Sequence, residues 1–414
     1  MAAFLNVLEK VLTWFFSLAF AAILIYGYMR WSHHREIEAD PWHQTQKKNT
    51  LEAYQAFLRQ CLSCPQEAAA RSALAALQRQ DGLISQLARE HLPERSAIAL
   101  PAFSLDGKRI LATWGRGPDF WDAETGRRDS FGDKTFAKDG GHLRVDALDY
   151  APNSRRIGTG LAGREGGRLM MWDLSTEAMV GSHVVDGYDV KTVIFSPDSN
   201  WLGWRGDGPI GVWNAQSGKF FRGNHEGVQS IAFLDAGGGE LFFLTAGGRD
   251  LWIWEAVTLT LLHEVRIDSD RTLLGLSYDG RVVVYTDGRV LEVFDTQTGA
   301  PLATLRDLEG DILSFCRDAE TGYLAIGTRS GFLYLWDPKG SPLPIGRIAA
   351  HAGPLEVLAC GGQHRAVSVG WDGAKVWALE KIAEGTSPDR RKDAPQDALK
   401  IPASERSMPR RENN

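Results

Sequence analysis

Cysteine is scarce in this sequence, four in 414 residues, and basic charge is in deficit: 46 Lys and Arg stand against 52 Asp and Glu, a formal net charge of −6. So few cysteines do not build a disulfide scaffold. A chain without basic surplus also lacks the electrostatic footprint of a general nucleic-acid binder. P-loop, H-E-x-x-H and G-x-S-x-G stretches are missing, so the common phosphate, zinc and serine sites have no local signature. "GLAGREGG", Gly160 to Gly167, has the glycines of a phosphate cradle but no following helix, and reads as a hairpin loop. His33, His34 and His43 with Glu36 and Glu38 offer metal-ligating chemistry; a polar collar beside a membrane accounts for them, and no metal or cofactor is expected. Long apolar runs are lacking too, with one exception. "VLTWFFSLAFAAILIYGYM", Val11 to Met29, carries no charge and is long enough to cross a hydrocarbon core.

What the sequence does have is a period. An aromatic residue followed by a turn recurs in "FWDAETG" at Trp121, "MMWDLSTEA" at Trp172, "GVWNAQSGK" at Trp213, "LWIWEAV" at Trp254, "EVFDTQTG" at Phe294, "LYLWDPKG" at Trp336 and "AKVWALE" at Trp377. After a first gap of 51 residues, the spacings are 41, 41, 40, 42 and 41. That is the period of a four-stranded propeller blade. A second landmark keeps its own register: "FSLDG" at Phe103, "YAPNS" at Tyr150, "FSPDS" at Phe195 and "LSYDG" at Leu276. Pro or a small residue sets the first corner of a turn, Asp or Asn bonds back to the backbone, and Gly or Ser closes it. These are hairpin joints between the first two strands of a blade.

At these residues the chain resembles the WD40 repeat family, over roughly residues 97 to 384. The resemblance implies an all-β seven-bladed β-propeller. It also implies a buried tetrad of His, Ser or Thr, Asp and Trp, carried over in full only onto His351, Ser368, Asp372 and Trp377. In the fourth blade His225, Thr245 and Trp254 match while Arg249 stands in the Asp position; in the sixth, Leu308 replaces the His and Ile326 the Ser. "ALEKIAEG" after Trp377 is short for a last outer strand, so residues just before Ala97 are expected to supply it instead.

The expected organisation is a short tail (1–10), a transmembrane helix (11–29), a helical juxtamembrane segment resembling one tetratricopeptide-type α-helical hairpin (30–93), the propeller (94–385) and a disordered tail (386–414). Leu51, Tyr54, Leu58 and Leu62 fall at helix spacing, as do Ala70, Ala73, Leu74 and Leu77. A cleavable signal ending near Ala19-Phe20-Ala21 is the competing reading of the apolar run. Lys10 flanks that run on one side, Arg30 and Arg35 on the other; the positive-inside rule therefore favours an inner-membrane, single-pass protein with a cytoplasmic propeller. Cys316 and Cys360 are expected as small buried thiols. Cys61 and Cys64 form a C-x-x-C, open to a disulfide in an exported protein or to a redox role.

For function, the loops joining second and third strands hold one arginine each in six blades: Arg116, Arg164, Arg205, Arg249, Arg289 and Arg329. Trp114, Trp204 and Trp371 share those loops. Arg and Trp are the residues that binding hot spots favour, so the face is expected to bind an acidic protein segment. The alternative is that the arginines simply solvate turns or pair with Asp207, Asp250 and Asp287. The expected function is a non-enzymatic, membrane-tethered scaffold with a protein partner and a lipid bilayer as its contacts. A periplasmic or lumenal propeller, binding a ligand or catalysing a reaction at its channel mouth, is the second reading.

Overall fold

The computed structural model describes residues 40–48, 50–61, 64–80, 82–87, 99–104, 106–113, 118–129, 144–153, 155–162 and 166–385. The apolar run Val11–Met29, His33, His34, Glu36 and Glu38, and the tail 386–414 lie outside them. Among the described residues no helix is long and apolar enough to cross a membrane.

The chain divides after Gln78 into two compact units. The first is helical: α1 (Pro41–Lys48), α2 (Leu51–Gln60) and α3 (Glu67–Gln80), three helices where the sequence suggests two. Asp40 Oδ1 accepts from Trp42 N–H at 3.2 Å just ahead of Pro41, which opens α1. Thr50 caps α2 by accepting from Ala53 N–H at 3.2 Å. Trp42 packs on Tyr54 and Phe57, with ring centroids 6.0 and 5.1 Å apart. Cys61, at the C-cap of α2, is bonded to Cys64, with a Cα–Cα separation of 5.4 Å.

In the second unit, seven antiparallel four-stranded sheets form the blades of a propeller. Blade 1 comprises β2 (Ala99–Phe103), β3 (Arg109–Thr113), β4 (Pro118–Asp122) and β5 (Arg128–Asp129). Blades 2 to 6 repeat that meander through β6–β9 (144–186), β10–β13 (192–224), β14–β17 (230–266), β18–β21 (272–305) and β22–β25 (312–349). Blade 7 has β26 (Leu355–Gly361), β27 (Arg365–Gly370) and β28 (Gly373–Ala378) from the C-terminal side, and takes its outer strand, β1 (Leu83–Gln86), from the N-terminal side. Leu83 lies opposite Trp377 and Gln86 opposite Lys375. The ring is thus closed from the N-terminal side, by Leu83–Gln86 and not by the residues just before Ala97. It follows that Leu83–Gln86 is propeller strand and not part of a helical segment reaching residue 93. After β28 the chain turns helical, α4 (Leu379–Gly385).

Second strands such as β19 (Val282–Thr286) and β23 (Leu324–Thr328) are buried at every residue, because a neighbouring blade covers each face. Outer strands face solvent, as β17 (Thr260–Arg266) shows. All seven period-marking aromatics are buried, Trp121, Trp336 and Trp377 completely. Blades approach closely where the second strand carries glycine: a Cβ on Gly327 would sit 2.4 Å from Leu355 of the next blade. The first-to-second-strand turns follow their chemistry. Ser104, Ser196 and Ser277 each donate to the Asp two residues on, at 2.5 to 2.7 Å.

Inner strands of neighbouring blades are joined by side chains. Asp149 of blade 2 accepts from Phe195 N–H at 2.6 Å, Ser230 of blade 4 from Leu276 N–H at 3.0 Å, and Ser314 of blade 6 donates to Leu355 O at 3.2 Å. Cys316 and Cys360, expected as separate thiols, are disulfide-bonded with Cα atoms 5.5 Å apart. Equivalent points of adjacent inner strands converge near the axis, which puts their side chains within bonding reach.

Blade 7 holds a complete tetrad. His351 bonds Asp372 at 2.5 Å and Ser368 at 2.6 Å, and Trp377 Nε1 donates to Ser368 Oγ at 2.7 Å. Asp372 also accepts from Lys375 at 3.1 Å. His351 and Lys375 together hold the Asp372 carboxyl far below the usual range, against its burial. Elsewhere the set is partial. Trp254 donates to Thr245 at 3.0 Å, while Trp336, lacking a Ser partner at Ile326, donates to Ser341 O at 2.7 Å. Replacing Ser368 with Ala leaves two buried polar partners unmet and is expected to destabilise the propeller by about 1–3 kcal/mol. Urea unfolding followed by tryptophan fluorescence would measure this, and an unchanged midpoint would show the tetrad to be energetically idle.

Candidate functional site

In an antiparallel meander the loops joining second to third strands and those leading to the next blade emerge at one mouth of the channel, and the other turns at the opposite mouth. Trp114, Arg116 and Arg164 lie outside the described residues. The remaining four arginines occupy the same mouth, on blades 3 to 6, but in unlike surroundings.

Arg205 ends β11 (Leu202–Arg205), is half-buried, and donates to Val228 O at 3.3 Å. Burial lowers its pKa, against the attraction of Asp207. Arg249 pairs with Asp270 and is 41% exposed; Arg329 meets Asp311 at 3.1 Å and is 62% exposed. Arg289 is exposed in a loop whose Asp287 accepts from the backbone N–H groups of Arg289 and Val290, both at 2.9 Å. The carboxylates anticipated as partners are engaged elsewhere: Asp207 with Lys191 at 3.4 Å, Asp250 with Arg266 at 3.4 Å, Asp287 with Arg271 at 3.4 Å. The described part of this face is therefore a lattice of both signs. Exposed pairs contribute only about 0–1 kcal/mol each, so an incoming carboxylate can exchange for the resident one.

The tryptophans separate. Trp204 is fully buried between blades 2 and 3 and cannot serve as stacking surface: in β11 it points into the seam, where alternation puts a core residue. Trp371 is 53% exposed and lies against Gly353, where a Cβ would come 2.1 Å from its Nε1.

Two features at the opposite mouth carry no sequence signature of their own. Tyr278, in the turn of blade 5, donates its hydroxyl to Asp149 Oδ2 of blade 2 at 3.0 Å. Two blades separate them along the ring, so the bond reaches across the channel. Burial raises the Asp149 carboxyl to about 7, opposed by the hydrogen bonds from Phe195 N–H and Tyr278. His364, in the turn of blade 7, bonds Asp318 at 2.8 Å and faces Glu320 at 3.1 Å and Glu380 at 3.5 Å. Its pKa is raised, chiefly by the Asp318 hydrogen bond. Among the described residues no group of three or more His, Cys, Asp or Glu is arranged to hold a metal. A cleft of about 550 Å³ lies near the turns of blades 4 to 6, where Arg281, Arg317 and Lys339 are balanced by Asp235, Asp295 and Asp337.

No family model matches the chain, and no curated protein matches it. A solved structure of the computationally designed Ika8 protein is similar over 72% of this chain and 99% of its own, with TM-score 0.51 and 19% identity. The likeness is one of fold. A propeller repeat architecture of seven blades is what structure and comparison together establish.

The raised Asp149 pKa has a definite sign. The folded chain binds a proton there that the unfolded chain releases near pH 4, so stability falls as pH rises from about 4 through about 7. Asp149→Asn should flatten that decline and be neutral or stabilising at pH 8, by about 1 kcal/mol or more. Thermal melts of both proteins at pH 5 and pH 8 would check this; parallel pH profiles would contradict it.

Proposed function

We propose that this chain is a WD40-type propeller acting as a non-enzymatic scaffold, tethered to a membrane by Val11–Met29, and that the arginine-bearing mouth binds an acidic segment of a protein partner. The observation that carries this reading is the exposure of Arg249, Arg289 and Arg329 on adjacent blades of one mouth, with the exposed Trp371 on blade 7 of that mouth. Arginine offers a planar fork suited to carboxylates, and tryptophan offers a stacking face. The rigid, closed ring holds these groups in fixed spacing and leaves only short, protected sheet edges. Arg205 is a poor contact by comparison, being half-buried and bonded to backbone.

A second reading, a propeller that binds or transforms a ligand in its channel, draws support from Asp149, a buried carboxylate at the mouth opposite the arginines. Its only described company there is Tyr278 and backbone, which is meagre for catalysis.

Arg289→Glu with Arg329→Glu should weaken binding of fluorescein-labelled Asp/Glu-rich peptides at least tenfold, while circular dichroism and melting stay as in the wild type. Wild-type affinity should also fall with added salt. Equal affinity in variant and wild type, or no acidic peptide bound by the wild type, would overturn the assignment of this face.

A further inference from the structure

The pairing of the cysteines bears on which side of the membrane the propeller occupies, and it does so independently of the arginine face. All four cysteines of the chain are bonded, two by two. Both pairs have Cα separations, 5.4 and 5.5 Å, inside the range a disulfide spans. A chain with so few cysteines, spread over two compact units, brings each of them against another. In a reducing cytosol such pairs stay open; in exported proteins they form and persist.

The second pair is also placed where a covalent bond changes most. Blade 7 is the one blade assembled from both ends of the propeller, and β1 is its only tie to the N-terminal side within the sheet. Between blades 6 and 7 no strand ladder runs; Leu355 packs close to Gly327, and the other links described are polar ones, Ser314 to Leu355 O and His364 with Asp318 and Glu320. Cys316, in β22 (Ile312–Arg317), and Cys360, in β26, bridge this seam at the inner strands and close a loop of sequence separation 44. Were β1 to let go, blade 7 would still be held to blade 6.

We propose that the propeller folds and works on the oxidising side of a membrane, with Cys316–Cys360 locking blade 7 to blade 6. This reverses the orientation that flanking charge favours. That preference is modest, Arg30 and Arg35 with Lys47 and Lys48 further on against Lys10 and the amino group, and the Lys10 side facing the cytosol would carry the propeller outward.

The test uses the full chain. Cells are quenched in acid and their protein alkylated with polyethylene-glycol maleimide before or after reduction. The proposal expects no mass tag before reduction, four after, and two after reduction in Cys61→Ser/Cys64→Ser. An alkaline phosphatase fused after Asn414 should be active. Tags added without reduction, or an inactive fusion made at normal level, would overturn the placement. For the lock, Cys316→Ser/Cys360→Ser should lower the propeller's melting midpoint by about 10 °C. Dithiothreitol should do the same to the wild type, and Cys61→Ser/Cys64→Ser should not. A Cys316/Cys360 variant that melts with the wild type would remove the lock.

Discussion

Sheets that radiate from an axis share no strand ladder, and the other features of this protein respond to that constraint. Within a blade the ladder is complete; between blades side chains carry most of the contact, beside an isolated backbone bond such as Ile312 N–H to Gly288 O at 2.7 Å. The buried aromatic at the end of each third strand, the small residues of the second strands and the polar links among inner strands are three answers to the same need. Each seam gains from apolar area removed from water, about 25 cal/mol per Å². The seams on either side of blade 7 carry additional polar links: Arg365 of that blade bonds Glu124 at 2.7 Å and Gly107 O at 3.2 Å in blade 1, and His364 meets blade 6.

The architecture was legible because its cause is repetitive. A blade must end a third strand in bulk and begin its second after a tight turn, so Trp172, Trp213 and Trp336 mark the period without any knowledge of neighbours. Closure from the N-terminal side was legible too, from the shortness of the chain after Trp377. The limits of β1 were not. "LISQ" is a four-residue stretch following an amphipathic helix, and only its partner β28 distinguishes a strand there. Three-dimensional proximity decided the remaining surprises. Nothing local in Cys316 announces Cys360, and nothing in Tyr278 announces Asp149, because the ring brings together positions that the period treats separately.

The arginine mouth shows the same division. One arginine per loop is a statement about sequence; what each does depends on the loop from the fourth strand that arrives beside it. Asp270 and Asp311 come from those connections and occupy Arg249 and Arg329, whereas Asp207 and Asp287, adjacent in sequence, turn to Lys191 and Arg271. Strand alternation likewise separates Trp204 from Arg205, sending one into the seam and leaving the other at the rim.

The two-ended construction of blade 7 also sets a timetable. Leu83–Gln86 leaves the ribosome before every other strand of the ring, yet its partner β28 leaves last. At roughly 5–20 residues per second, that early strand waits for tens of seconds with its backbone groups unmatched. An edge left open for so long invites pairing with other chains. Its brevity, four residues with Ser and Gln among them, gives a wrong partner little to hold.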